Sequence, residues 1–380
     1  MNQTINYKNM AISLFLYLIL AGIGAWRVLV MLKTFYPGLS AAGYLGGYAL
    51  MSTALPLGFF LPHSRISKML DIIGNYWVCF QLTFFFTAMV EWLVKLAAVN
   101  LLRAFTAEQF AGISLLLFSL SAIVTVYGII HARIIHLTKY QCQVDKPCFQ
   151  DEMLRIVHLS DLHLGSINNL NEMRKIVVQV NAMCADVICI TGDTFTENVH
   201  DVFDIDGIAE VFCLLESRYG VYACLGNHDA GSEFPQMLEF FRRTNIHLLY
   251  DEYVQLDNII LLGRSDMTPG GNLKNERKPI EDCLKGADLD KLVIVLDHQP
   301  GDLKSAMTAG ADLLLSGHTH GGQFFPIHRM IRRIFPHYCG CKQFGQMYSI
   351  VSSGTCMAIP PIRIGSRSEI VEITVFNNKS

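Results

Sequence analysis

The amino-terminal third constrains the fold most. Before about residue 135, long apolar runs recur at Met10 to Leu32, Ala41 to Pro62, around Trp77 to Val99, and Phe110 to Ile130. Each has roughly the 20 residues a helix needs to cross a hydrocarbon core, so four transmembrane helices are expected over residues 1–135. The first run exceeds the roughly 7 to 15 residues of a signal-peptide core, and three more follow it. These runs account for a chain of 380 residues that is 51% hydrophobic and only 17% charged. That is too apolar for a water-soluble enzyme of this length.

Four crossings put both chain ends on one side. Lys8, Arg65, Lys68, Arg133, Lys139 and Lys146 fall on that side, against Lys33, Lys95 and Arg103 opposite. The positive-inside bias therefore predicts a protein of the cytoplasmic membrane with its remaining domain in the cytoplasm. Eleven scattered cysteines, without a small-domain spacing, agree with a reducing compartment. Within the spans, Arg27 lies near an end and can snorkel, while Glu91 and Lys95 are spaced to pair along one helix.

Residues 136–151 read as a linker and residues 152–380 as a water-soluble domain. Short apolar runs at Leu154 to Leu159, Ala185 to Thr191, Gly220 to Leu225, Leu292 to Leu296 and Ala311 to Ser316 look like buried strands. Helical spacing occupies Asn169 to Met183, Ile205 to Ser217 and Glu233 to Arg243. Further strand-like runs after Met347 point to a mixed sheet in a layered α/β plan.

Every one of the five strands runs into metal-ligating residue types. The first leads to Asp161 and His163, the second to Asp193, and the third to Asn227, His228 and Asp229; the fourth leads to His298 and the fifth to His318 and His320. Ligands of open α/β sheets bind beyond the carboxyl ends of the strands, so five such tips form one cluster of oxygen and nitrogen donors. Asp297 reads as a turn or cap residue. Glycines around His318 and His320 permit positive φ and close backbone approach.

D-x-H, G-D, G-N-H-D, a separate His and G-H-x-H, in that order, resemble the calcineurin-like metallophosphoesterases over Leu154 to Phe376. The apolar amino-terminal region, "GHTHGGQ" and "PIRIGSRSEI" resemble the membrane-anchored bacterial branch of that family. The resemblance implies a two-sheet α/β/β/α sandwich with mixed sheets and two divalent ions, Mn, Fe or Zn. One ion would take Asp161, His163, Asp193 and His320; the other Asp193, Asn227, His298 and His318. A hydroxide shared by the ions would attack phosphorus. His228 would protonate the leaving oxygen, with Asp229 orienting its imidazole. Thr196 stands where the family's second motif usually has a second Asp, which puts the support of the ligands in question.

Between "GHTHGGQ" and Met347, Ile327, Met330, Ile331, Ile334 and Phe335 recur at helical spacing among His328, Arg329, Arg332 and Arg333. A basic amphipathic helix of this kind suits a membrane interface. The expected activity is hydrolysis of a phosphodiester or pyrophosphate in a lipid or lipid-linked nucleotide such as UDP-diacylglucosamine, with membrane lipids as partners. A non-catalytic metal-binding regulatory module on the same fold is the alternative. Nucleic acid is not expected as a partner, because the net charge is −3 and no basic stripe carries interleaved aromatics.

Overall fold

The computed structural model describes residues 7–97, 106–146, 153–196, 199–229, 233–267 and 277–377. It divides into an amino-terminal unit that runs to Ile130 and includes Ile359–Ile362, and a second unit of His131–Ala358 and Arg363 onward.

The first unit contains α1 (Tyr7–Phe35), α2 (Ala41–Ser52), α3 (Ala54–Phe60), α4 (Arg65–Ala97) and α5 (Ala107–Ala132). Among the described residues three of these, α1, α4 and α5, are long and apolar enough to cross a membrane. The expected second crossing is instead two short helices, broken at Thr53. Pro56 explains the break: it has no N–H to give the carbonyl of Ser52, four residues back. Tyr17 Oη donates to that carbonyl at 2.7 Å. The broken pair runs back along its neighbours, with Leu55 against Gly74 and Gly58 against Asp71.

Glu91 does not pair with Lys95. Its carboxylate is 1% exposed, faces the bundle, and takes both the Nε and Nη2 of Arg27 on α1, at 2.8 and 2.6 Å. Lys95 points outward and lies over the Phe110 ring. A carboxylate buried among apolar helices needs its charge matched inside the bundle, so the inter-helix partner wins over the solvent-side one.

The second unit begins at His131, ahead of the expected linker, and takes in the linker's first part. Ile135–Val144 forms β1 and pairs in parallel with the carboxyl-terminal strand through all ten residues, because Thr138, Cys142 and Val144 point into the unit. The rest of that expected linker, from residue 147, lies outside the described residues.

Next come β2 (Met153–Leu159), α6 (Leu170–Asn181), β3 (Val187–Thr191), α7 (Ile205–Phe212), β4 (Val221–Cys224), α8 (Phe234–Arg242), β5 (Ile246–Leu248), β6 (Glu252–Leu256) and β7 (Ile259–Gly263). They are followed by α9 (Ile280–Cys283), β8 (Leu292–Leu296), α10 (Leu303–Thr308), β9 (Leu313–Ser316), α11 (His328–Ile334), β10 (Gly340–Phe344), β11 (Met347–Val351) and β12 (Ser368–Asn377). One sheet has the order β1-β12-β2-β3-β4-β5 and the other β10-β11-β9-β8-β7-β6. Both are mixed: β12 runs antiparallel to β2, and β10 antiparallel to β11, beside parallel neighbours.

Ile156, Cys189, Ile294, Leu313 and Ile373 join the inner faces of the two sheets in one apolar core. A second core packs α6, α7 and α8 on the first sheet, and a third packs α9 and α10 on the other. The result is a helix–sheet–sheet–helix sandwich. Its central strands β2, β3, β4, β8 and β9 are almost wholly buried, which explains their unbroken apolar runs.

Candidate metal centre

Loops leaving β2, β3, β4, β8 and β9 meet at one end of the sandwich. Backbone bonds lock the first two together: the N–H groups of Asp161, His163 and Leu164 donate to the carbonyls of Gly192, Asp193 and Thr194. The turns are tight enough to force Asp161, His163, Asp193, His318 and His320 to φ values between 44° and 70°. Left-handed backbone at five non-glycine residues is strained, and such strain gathers at functional sites. Around the last two, Gly321 and Gly322 also have positive φ, whereas Gly317 serves close approach: a Cβ there would lie 2.3 Å from Asp161 Oδ2.

Two groups of donors converge. In the first, His163 Nε2 lies 3.1 Å from His320 Nε2, and His320 Nε2 lies 3.3 Å from Asp161 Oδ1. In the second, His298 Nε2 is 3.1 Å from both Asp193 Oδ2 and Asn227 Oδ1, and His318 Nδ1 is 2.8 Å from Asn227 Oδ1. Asp193 Oδ2 also faces the first group, 3.8 Å from His163 Nε2. Asp161, His163 and His320, and separately Asp193, His298 and His318, each offer ligand atoms within 4.8 Å of one another. These are two candidate metal-binding sites, and the donor set fits divalent ions.

The supporting contacts suit this use. His298 Nδ1 faces the Thr191 carbonyl at 2.8 Å, so its proton belongs there and Nε2 is free to ligate. Burial holds His163 and His318 down to about 4 and lowers His320 well below its ordinary value, so these rings stand neutral with open lone pairs. Burial would lower His298 as well, but the adjoining Asp193 carboxylate reverses this and raises it well above its ordinary value. A cation at the same point would displace that proton.

His228 is half-buried; its N–H donates to Asp193 Oδ1 at 2.9 Å, and its ring meets the His163 ring edge to face at 5.3 Å between centroids. Asp229 does not orient that ring. Its buried carboxylate accepts from the N–H groups of Thr194, Phe195 and Gly226, at 3.0 to 3.1 Å, and so ties the Asp193 loop to the Asn227 loop. A carboxylate out of water takes the donors closest to it, and here those are backbone. Asp297 is no simple turn residue either, being buried and ion-paired with Arg277.

Thr196 answers the missing second Asp of its motif: its Oγ1 donates to the His163 carbonyl at 3.1 Å. Asn168 and Arg363, which the motifs do not reveal, lie behind the first group. Only the "PIRIGSRSEI" string carries any signal for Arg363. The amphipathic insert folds as α11, of which no residue is buried; Met330 and Ile334 are 63% and 64% exposed. Phe335, just after it, packs edge to face on His318.

Residues 154–322 match the family described as calcineurin-like phosphoesterase. An uncharacterized metallophosphoesterase of Aquifex aeolicus is 31% identical over 249 residues, 63% of this chain and 94% of its own length. A Danio rerio protein named transmembrane protein with metallophosphoesterase domain is 28% identical over 373 residues, 92% of this chain and 80% of its own. A Campylobacter jejuni metallophosphoesterase, also uncharacterized, is 31% identical over 272 residues, covering 70% of this chain and 71% of its own.

Proposed function

The chain belongs to the calcineurin-like phosphoesterases and is a metal-dependent phosphoesterase with three described helices long and apolar enough to cross a membrane, and from that premise we propose that it hydrolyses a phosphodiester or pyrophosphate bond in a phosphorylated lipid or lipid-linked nucleotide, the class that includes UDP-diacylglucosamine. The convergence of two donor groups on either side of Asp193 carries the hydrolytic part. Two divalent ions bound there would supply Lewis acidity to the phosphoryl oxygens and acidify water. Mn²⁺ or Fe suits the donors, with Zn²⁺ close behind.

The protein's own residues divide the remaining work. Asp161, His163 and His320 would hold one ion and Asn227, His298 and His318 the other, with Asp193 facing both. Asn227 contributes an oxygen without a negative charge to repel the substrate. His228, half-buried at the rim, delivers a proton to the leaving oxygen. Asp229 keeps the Asp193 and Asn227 loops in step.

The lipid part rests on α11 and its flanks. Phe325, Ile327, Met330 and Ile334 are exposed beside Arg329, Arg332 and Arg333, a composition that favours an anionic membrane surface. Phe335 links this insert to a ligand histidine. The antiparallel course of α2 and α3 between α1 and α4 supports a fourth, broken crossing. With the charge bias of the loops, that would place the hydrolytic unit on the cytoplasmic side of the cytoplasmic membrane.

One experiment tests both parts. Detergent-purified protein with Mn²⁺ is expected to cleave bis-p-nitrophenyl phosphate, and Asp193→Ala to lose more than about a hundredfold, since even residues behind a ligand are worth 10 to 100-fold. Arg329→Glu/Arg332→Glu/Arg333→Glu should keep that activity and lose turnover of anionic phospholipid vesicles. Silence of the loaded parent would sink the hydrolase; equal loss on both substrates would remove the lipid.

A further inference from the structure

The ligand histidines of the first group are held in a backbone conformation they would not choose. His163 and His320 have φ of 44° and 49°, where the Cβ crowds its own peptide. Such a residue persists only when its surroundings over-determine it. For both, those surroundings are side chains outside the ligand set.

The His163 carbonyl accepts from Asn168 Nδ2 at 3.0 Å, in addition to Thr196. The His320 carbonyl accepts from Arg363 Nη1 at 3.3 Å, and Arg363 Nη2 stands 3.4 Å from His320 Nδ1. The two braces are joined. Asn168 Nδ2 also donates to the Met357 carbonyl at 2.8 Å, and Arg363 Nη2 donates to the neighbouring Cys356 carbonyl at 2.8 Å. A short chain of bonds thus runs from behind one histidine, through Met357 and Cys356, to behind the other.

Arg363 is 0% exposed and Asn168 2%. Among the described residues the guanidinium has no carboxylate as a hydrogen-bond partner; besides His320 it meets the carbonyls of Cys356 and Arg367 and the Ser366 hydroxyl, and its Nε has none. Burying a cation on neutral acceptors is expensive, and Gly354 lets it come this close. There, at φ 90°, a Cβ would lie 3.0 Å from His320 Nδ1, 3.1 Å from Arg363 Nη2 and 3.2 Å from Asp161 Cβ.

We propose that Asn168 and Arg363 form a bracket, clasped at Cys356–Met357, that positions His163 and His320, so that the first ion site depends on it and the second does not. The bracket rests on the two-ion reading above. In it these two are positioning residues, since neither offers a ligand atom to the converging donors.

Equilibrium dialysis of the full chain in detergent against Mn²⁺ alone tests this, with electron paramagnetic resonance on the same samples. The parent is expected to hold two ions with a spin-coupled signal. Arg363→Met and Asn168→Leu should weaken one ion by about 10 to 100-fold and the other by less than about threefold, so that at intermediate Mn²⁺ an uncoupled ion replaces the coupled pair. Arg363→Lys, which keeps the charge but not the fork, should fall between. If Arg363→Met does not fold, Arg363→Lys and Asn168→Ser carry the comparison. Two unweakened ions in folded variants, or equal weakening at both sites, would overturn the bracket. A parent that holds fewer than two ions would bring down the two-ion reading and the bracket with it.

Discussion

The two donor groups share Asp193 and sit on the same strand ends, yet they are built differently. In the first, Asp161 and His163 are buried and His320 half-buried, and the three are braced from behind by Ser160, Asn168, Thr196 and Arg363. In the second, His298 and Asp193 are buried. Asn227 and His318 are half-buried, His298 is fixed by one main-chain carbonyl, and Phe335 covers His318 from the side of the exposed insert. The difference lies in the bracing: side chains outside the donor set hold the strained His163 and His320, whereas a main-chain carbonyl and an aromatic ring flank the histidines of the second group.

Protonation separates them too. Burial drives down His158, His163 and His320 on the side of the first group and His318 in the second, whereas at His298 the Asp193 carboxylate outweighs burial and drives the ring up. His298 must release a proton before a cation can take its Nε2.

The largest effect should erase the difference. Asp229→Ala strips three buried N–H groups of their acceptor at the junction of the two groups, each worth about 1–3 kcal/mol. A fall in unfolding free energy of at least about 3 kcal/mol and weaker Mn²⁺ at both sites are expected from denaturant titration and dialysis. Weakening confined to one site would show that Asp229 serves a single loop.

A smaller change should sharpen it. Gly354→Ala places a methyl against Asp161, His320 and Arg363 at positive φ, a strain of about 1–3 kcal/mol. Its expected signature is roughly tenfold or greater weakening of the first ion with the second nearly unaffected, which isothermal titration would resolve.

The smallest effect near neutral pH concerns His158. Burial holds it at about 3, against 6.5 when unfolded. The unfolded chain therefore binds the extra proton between those values, and stability contributed by the neutral ring is lost as pH falls below about 6.5. Each unit is worth about 1.4 kcal/mol. In ion-free protein, His158→Gln should flatten the acid side of a stability–pH curve by about one proton; an unchanged slope would assign that acid sensitivity to the ligand histidines instead.

Legibility follows distance along the chain. The seven residues expected as ligands stand in short local strings that each end a buried apolar run, so Asp161, His163, Asp193, Asn227, His298, His318 and His320 stand out in the sequence alone. Arg363 is 43 residues from the His320 carbonyl it supports, and Asn168 sits in an ordinary loop, so neither reads as a brace from its local string. Asp229 is legible as a site residue, but its partners are not: a carboxylate's role depends on which donors folding brings to it. The same holds for Glu91, whose partner is 64 residues away on another helix rather than one turn along its own.

Composition and periodicity thus determined that apolar helices precede a layered α/β domain, and the local strings that its strand ends carry metal-ligating residue types, because each follows from side-chain pattern along the chain. Tertiary structure decided how those ligands are split into two groups, what holds the strained ones, that Pro56 divides one apolar run into two helices, and that the segment following α5 is an edge strand. Those outcomes depend on hydrogen bonds and burial between distant segments, and only the packed chain brings such partners together.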